Sequence, residues 1–363
     1  MHKKVTVEYN NLPAYDIVLE QSYNSLYREL EKLNVINRKI CIVTDSNLSR
    51  LYLNEVKEIV KSCAKEVITF TFPAGENSKN LDTVYDLYEK LIEAGFDRKD
   101  LLIALGGGVV GDLTGYAAAT YLRGISFIQM PTSLLAMVDS SIGGKTGVDF
   151  HAYKNMIGAF HQPKLVYVNL SALKTLDDAQ YYSGFGEIIK HSLIRDKEYY
   201  AWLKDHRQDI KNRDMAVLEE TVYRSCLIKR DVVEKDPKES GERALLNFGH
   251  TIGHAIEKLL NFKLLHGECV AVGMVAAGYL SYKRNLLSKD QFDDMVRVIK
   301  NFNLPVSVSG VRANEVLQAT YHDKKRDGGK INFILLSTIG KAYIDNTVSE
   351  KELLDAINQI ISE

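Results

Sequence analysis

The chain lacks the features that would place it in a specialised class. It has only four cysteines (Cys41, Cys63, Cys226 and Cys269), scattered without pairing signatures, which points to reduced thiols and a cytosolic compartment. Neither charge is in excess: 46 basic and 47 acidic residues leave a formal net charge of −1, and the signs interleave. That excludes a basic arm for nucleic acid and a cationic face for a membrane surface. No uninterrupted apolar run reaches the about 20 residues that span a bilayer. The start, Met1-His2-Lys3-Lys4-Val5, lacks the apolar core of a signal peptide. There is no internal repeat and no low-complexity segment. The expectation is a cytoplasmic protein with a small-molecule partner and no nucleic-acid or membrane partner.

What is present is a globular composition, 45% apolar and 26% charged. At 363 residues the chain exceeds what one core usually organises, so two domains are expected. Residues 1–170 alternate short β-branched runs with helical patterns. Strands are predicted over Lys39–Thr44, Val67–Phe72, Leu101–Leu105 and Ser126–Met130, with helices over Leu51–Cys63 and 80–94. That alternation predicts right-handed crossovers and a mainly parallel, Rossmann-like sheet. The second domain, residues 171–363, is helical almost throughout from Ser171 to about Leu304, with apolar spacing over Tyr182–Leu193, Val217–Val233, Arg243–Leu260 and Cys269–Lys283. A hairpin over Ile331–Ile344 and a last helix over Glu350–Ile361 close the chain. The prediction is an α/β N-terminal domain, an α-helical C-terminal domain and a cleft between them.

Gly106-Gly107-Gly108-Val109-Val110-Gly111-Asp112 follows the strand Leu101–Leu105 and opens an apolar helix. This G-x-G-x-x-G pattern lets backbone approach a pyrophosphate at a helix N-terminus; the alternative is a glycine turn kept for packing. The acidic residue due about twenty positions later to hold a ribose is missing, since that stretch reads Ile128-Gln129-Met130. Asp45 can serve instead, or simply cap a helix. Pro73–Lys79 falls at the same sheet edge and reads either as a ligand loop or a solvated turn. A second stretch, Pro131-Thr132-Ser133 through Asp139–Gly147, ends in Gly-Gly-Lys-Thr but lacks the first glycine of a P-loop, whose place Asp139 takes. It offers a carboxylate, hydroxyls and Lys145 on constrained backbone, with Lys154-Asn155 close behind. Such groups suit a polyhydroxylated anion.

Three of the nine histidines fall within seventeen residues, in Asn247-Phe248-Gly249-His250-Thr251-Ile252-Gly253-His254 and His266-Gly267-Glu268. His250 and His254 lie one helical turn apart on one face, and neutral imidazole is a metal ligand or a general base. A further ligand must come from elsewhere. In Gly184-Phe185-Gly186-Glu187-Ile188-Ile189-Lys190-His191 the charged Glu187 and Lys190 sit among apolar neighbours, a costly position unless paired or metal-bound. Glu187, His250 and His266 would leave open positions, as a catalytic zinc requires. His191, one turn from Glu187, is a rival ligand.

Gly106–Asp112, Arg123-Gly124, Pro131–Ser133, Asp139–Gly147, Lys154-Asn155, Gly184–Lys190, Glu239–His254 and His266–Glu268 together resemble the 3-dehydroquinate synthase family over essentially the whole chain. The resemblance implies Zn²⁺, or Co²⁺, on Glu187, His250 and His266, against His191 and His254. It implies NAD⁺ held by Asp45, Glu76, Lys79, Gly107, Gly108, Val109, Asp112, Thr132, Ser133 and Thr175, with Lys154 serving cofactor or substrate. The implied substrate is 3-deoxy-D-arabino-heptulosonate 7-phosphate, contacted by Arg123, Asp139, Lys145, Asn155, Lys190, Lys229, Arg243, Asn247, His254 and one of Lys324 and Lys325. His254 would relay the alcohol proton, and Glu239 is a second proton acceptor. Family enzymes oxidise the C5 alcohol with NAD⁺, eliminate phosphate, reduce the ketone with the same cofactor, then open and recyclise the ring. A homodimer, with Arg123 reaching the neighbouring site, is also implied. The rivals are another sugar-phosphate cyclase, a metal-dependent polyol dehydrogenase, and a nucleotide-binding sensor without activity.

Overall fold

A computed structural model describes residues 3–151, 153–239, 241–324 (side chains to 321) and 332–362. The chain folds as two compact units, Met1–Leu176 and Asp177–Glu363.

The first unit opens with an antiparallel hairpin of β1 (Lys3–Tyr9) and β2 (Leu12–Glu20). Its turn residues Asn10 and Asn11 both take left-handed φ, 54° and 61°, which suits the twist of a two-residue hairpin and which asparagine tolerates. There follow α1 (Leu26–Lys32), β3 (Lys39–Asp45), α2 (Asn54–Lys61), β4 (Glu66–Phe72), α3 (Leu81–Glu93), β5 (Leu101–Gly106), α4 (Gly108–Thr120) and β6 (Ser126–Pro131). A two-stranded ribbon, β7 (Lys145–Phe150) and β8 (Tyr153–Phe160), precedes β9 (Leu165–Asn169). The seven-stranded sheet has the order β1-β2-β9-β6-β5-β3-β4, parallel except for the β1–β2 pair. Every residue of β5 is buried, as befits a parallel strand covered on both faces. Parallel neighbours end at one edge. Asp45, the loop after β4, the glycine loop after β5 and Thr132-Ser133 after β6 therefore gather there, the edge at which such sheets bind ligands.

The second unit comprises α5 (Asp178–Arg195), α6 (Lys197–Asp205), α7 (Arg207–Lys211), α8 (Met215–Lys235), α9 (His250–Leu259), α10 (His266–Lys283), α11 (Lys289–Asn301) and α12 (Ala313–Lys324). The hairpin β10 (Phe333–Thr338) and β11 (Lys341–Asp345) then leads to α13 (Glu350–Asn358). Helix α10 is the hub: α5, α9, α11, α13 and β10 all pack on it, and 13 of its 18 residues are buried, too many for one amphipathic stripe. The helix predicted over Arg243–Leu260 is broken. A 3₁₀ segment covers Glu242–Asn247, and Gly249 turns left-handed (φ 81°) so that α9 starts at His250. Among the described residues no helix is long and apolar enough to cross a membrane.

Arg284, just past α10, donates Nε and one Nη to the two oxygens of Glu352 on α13 at 2.8 and 2.9 Å, and the other Nη to Asp345 at the end of β11 at 2.9 Å. These bonds hold the Glu352 carboxyl down to about 2, from an ordinary 4.5. A depressed carboxyl contributes stability that is present above its unfolded value and lost as pH falls through its folded one. The thermal midpoint should therefore drop between about pH 4.5 and about pH 2, and less steeply in Glu352→Gln. Scanning calorimetry across that range checks it.

Candidate active site

In the second unit three helices meet backbone to backbone, each time beside a chemically active residue. A Cβ added to Gly267 would stand 1.8 Å from the Ser183 carbonyl oxygen, and one on Gly186 would stand 2.5 Å from the Gly267 carbonyl oxygen. Helix α5 thus touches the first turn of α10, setting Glu187 against His266. Likewise a Cβ on Gly273 would stand 1.9 Å from the Gly249 carbonyl oxygen, so the start of α9, with His250, lies against α10. The Ser183 hydroxyl accepts from the Gly267 N–H at 3.1 Å. Glu268 accepts from the Leu265 N–H at 2.8 Å, which makes this glutamate a helix cap.

Glu187 is wholly buried. Its Oε1 faces the Nε2 of His250 at 3.5 Å and the Nε2 of His266 at 3.4 Å, while Lys190, 1% exposed, pairs with Oε2. Neither oxygen makes a hydrogen bond among the described residues, which is expensive for a buried carboxylate. Each imidazole turns Nδ1 the other way, to the Phe248 carbonyl at 3.3 Å for His250 and to Glu257 at 3.6 Å for His266. Burial opposes ionisation of Glu187, but Lys190, His250 and His266 outweigh it and hold the carboxyl well below its usual range. Burial, aided by Lys190, holds His250 well below its usual value and so neutral. Burial also opposes protonation of His266, but Glu187 and Glu257 lift it to about 9.

This donor set fits a divalent metal. Tetrahedral zinc with bonds of about 2.0–2.1 Å spaces adjacent ligand atoms about 3.4 Å apart, the spacing of Glu187 from both imidazoles. The Glu187 carboxylate, ion-paired but without a hydrogen bond among the described residues, would gain a bond to the metal. His254 is the exposed member of the cluster, and one ring nitrogen from each of His250, His254 and His266 lies within 4.8 Å of the others. His191 is buried and its Nδ1 meets Ser225 Oγ on α8 at 2.9 Å.

The other residues predicted in this unit flank these helices. Lys229 is buried on α8, one turn beyond Ser225. Arg243 is buried and donates to the Pro237 carbonyl at 2.7 Å. Asn247 donates to Glu239 Oε1 at 2.9 Å, and Glu239 itself takes a left-handed φ of 57°. Asp236 holds this loop in shape, accepting from the backbone N–H of Gly241 and Arg243 at 2.7 and 3.0 Å. Lys324 ends α12 with its side chain outside the described residues, and Lys325 lies wholly outside them. Sequence reasoning missed Glu257 and Asp236. Glu257 carried a signal, since it follows His250 by seven residues and His254 by three, on the same helix face; Asp236 carried none.

In the first unit Lys79 is the pivot. It donates to Asp112 at 2.7 Å and to Asn155 Oδ1 at 2.6 Å; burial works against its charge, but Asp112 and Glu76 outweigh it and hold its pKa up. Asn155 also donates its backbone N–H to Asp149 at 2.8 Å, and Lys154 pairs with Glu76 at 3.4 Å. The expected cofactor residues Lys79 and Asp112 and the expected substrate residue Asn155 are thus one network. The N-cap of α4 is Gly107, which has no side chain to occupy the first N–H groups. A Cβ on Gly107 or Gly108 would meet Ser133 Oγ at 3.4 Å or Ser140 Oγ at 3.3 Å, whereas one on Gly111 would strike Gln129 at 2.4 Å. Gly111 therefore serves packing, whereas Gly107 and Gly108 at the helix end face the Ser133 and Ser140 hydroxyls. Val109 follows in the first turn of α4, and Thr132 donates its N–H to the Gly106 carbonyl at 3.0 Å. Asp45 accepts from the N–H of Asn47 and Leu48 at 2.8 and 3.0 Å, a local turn at the end of β3. Thr175 is bonded to the Tyr52 hydroxyl. Asp139 lies in a π-helical turn and Lys145 begins β7. Exposed Arg123 and its neighbour Leu122 both have left-handed φ, 70° and 50°, a strained pair of the kind found at functional sites.

Residues 69–183 match the family model described as 3-dehydroquinate synthase N-terminal, and residues 184–326 the one described as 3-dehydroquinate synthase C-terminal. The 3-dehydroquinate synthase of Acetivibrio thermocellus is 42% identical over 350 residues, 96% of this chain and 97% of that protein. Among solved structures, 2-epi-5-epi-valiolone synthase of Streptomyces hygroscopicus subsp. jinggangensis, with NAD⁺ and Zn²⁺ bound, superposes with a TM-score of 0.88 at 26% identity, covering 98% of this chain and 99% of that one. A 2-deoxy-scyllo-inosose synthase complexed with carbaglucose-6-phosphate, NAD⁺ and Co²⁺ gives 0.85 at 24% identity, covering 98% and 100%. The fold is that of the sugar-phosphate cyclases. Within that class, the chain belongs to the 3-dehydroquinate synthase family.

The helix crossing has a direct test. Gly267→Ala drives a methyl group into the Ser183 carbonyl and should destabilise the protein by about 1–3 kcal/mol or more, displacing His266. Urea unfolding and zinc content per chain measure both effects, and unchanged values in the variant would contradict the close contact.

Proposed function

We propose that this protein is a 3-dehydroquinate synthase, a carbon–oxygen lyase that converts 3-deoxy-D-arabino-heptulosonate 7-phosphate to 3-dehydroquinate and phosphate in aromatic amino-acid biosynthesis. The observation that carries the reading is the convergence of Glu187 on two imidazole nitrogens at 3.4 and 3.5 Å in a chain of this family. Glu187, His250 and His266 would hold Zn²⁺ or Co²⁺, which when bound supplies a Lewis acid that lowers the pKa of a coordinated alcohol. Asp45, Glu76, Lys79, Gly107, Gly108, Val109, Asp112, Thr132, Ser133 and Thr175 would hold NAD⁺, which supplies a reversible hydride acceptor.

The chain's own groups then divide the remaining work. His254, exposed one turn from His250, accepts the proton of the reacting hydroxyl as a general base. Glu239, already oriented by the Asn247 amide, is the second proton acceptor. Lys190, Lys229, Arg243 and one of Lys324 and Lys325 in the second unit, with Arg123, Lys145 and Lys154 in the first, neutralise a carboxylate and a phosphate. Asp139, Asn155 and Asn247 take hydroxyl groups. The Lys79 bond to Asn155 Oδ1 leaves the amide nitrogen as the group offered to a ligand. The same reading includes a homodimer, with exposed Arg123 serving the partner's site. Four free cysteines, all buried, accord with a cytoplasmic location.

Incubation with the heptulosonate phosphate, NAD⁺ and Zn²⁺ should release phosphate with no net NADH. Absence of phosphate release overturns the proposal, and a substrate panel separates it from the valiolone- and inosose-forming cyclases, whose fold is the same. NADH accumulating from a simple polyol would point to a dehydrogenase. His254→Ala should retain its zinc and lose about 10²–10⁴-fold in rate; loss of the metal instead would make His254 a ligand.

A further inference from the structure

Glu257 is a buried carboxylate that the proposed reaction does not use. It lies on α9, three residues after His254, and the cost of burying its charge demands a partner. The His266 Nδ1 stands 3.6 Å from its Oε2. The opposite edge of the same ring presents Nε2 to Glu187 at 3.4 Å. His266 therefore bridges two buried carboxylates, one on α5 and one on α9, from its place as the first residue of α10. His250 is also a first residue, that of α9, but its Nδ1 meets only the uncharged carbonyl of Phe248.

Electrostatics gives this asymmetry a purpose. The N-terminus of a helix carries about half a positive charge, and both imidazoles stand at such ends. A cation bound between them is opposed by two helix dipoles and by Lys190, which offset the charge of the Glu187 carboxylate. A second buried carboxylate behind one imidazole offsets that opposition. A carboxylate on Nδ1 also fixes the tautomer, leaving the Nε2 lone pair for a metal, and makes the ring a stronger donor.

We infer that Glu257 is a positioning residue for the metal site: it holds the His266 ring in register through Nδ1 and strengthens Nε2 as a ligand. This rests on the reading of Glu187, His250 and His266 as metal ligands. A purely structural Glu257, pinning α9 to α10 as an ion pair, would affect stability whether or not a metal is present and would not act through the ring.

The test is a double-mutant cycle on the full chain, with zinc affinity measured by competition against a chromophoric chelator and apo-protein stability by urea unfolding. Glu257→Gln should weaken zinc about 10–100-fold, and Glu257→Asp, which keeps the charge, should recover part of that loss. In a His266→Ala background, Glu257→Gln should change zinc affinity less than twofold, because the ring through which it acts is gone. The visible bands of the Co²⁺-loaded protein should shift in Glu257→Gln. Wild-type affinity in Glu257→Gln overturns the inference, as does an equal loss in both backgrounds. A wild-type chain that binds no zinc, or a Glu187→Ala variant that binds it undiminished, overturns the underlying metal site and is distinguishable from the first two outcomes.

Discussion

The second unit is organised around one expensive object, the ionised carboxylate of Glu187 placed where no water reaches it. A buried charge survives only when opposite charge and polar groups are brought within a few ångströms. Here they come from Lys190 one turn away on the same helix, and from His250 and His266 on two others. Helices with ordinary side chains at their contacts keep their axes 8–10 Å apart. Glycine removes that spacing. Gly186 precedes Glu187, Gly249 precedes His250 and Gly267 follows His266, so each proposed ligand sits beside the residue that lets its backbone come close. The glycines and the ligands are one device, and α10 is the surface on which it is assembled.

The first unit solves a different problem, that of offering a helix end to an anion while keeping the surrounding charges in balance. Lys79 is held by Asp112 of α4 and reaches Asn155 of the β7–β8 ribbon, so the groups expected to touch cofactor and substrate are joined before either arrives. A charged pair with few exposed atoms is strong where water is scarce, and replacing one partner strands the other. This explains why a lysine that looks like one more surface charge in the sequence is buried in the fold.

Much of this was legible. Runs of β-branched and aliphatic residues announced the parallel strands β3, β4, β5 and β6, and the glycine run announced the turn between β5 and α4. The hairpin β1–β2 escaped because its turn is Asn10-Asn11, without the glycine that usually marks such a turn, and its strands cover an edge. The ribbon β7–β8 escaped because glycines and polar residues there hide the alternation. The helix read as continuous over Arg243–Leu260 is interrupted because left-handed Gly249 fits against α10, a reason that lies outside the segment. Glu257 shares a helix face with His250 and His254, but its partner His266 lies on another helix, so spacing alone could not pair the two.

By itself the chain determined its layered class, its family and the inventory of donors: three clustered histidines, a glutamate in an apolar setting, and the cationic set. Local spacing could do this because strand and helix periods and short motifs are properties of neighbours in the chain. Which donors share a centre was decided by tertiary structure alone. Convergence of Glu187, His250 and His266, the bridging of His266 to Glu257 and the union of Lys79 with Asp112 and Asn155 all join residues on different elements. Those distances are set by how closely backbones can pack, and the state of each charge by how much water the packing removes.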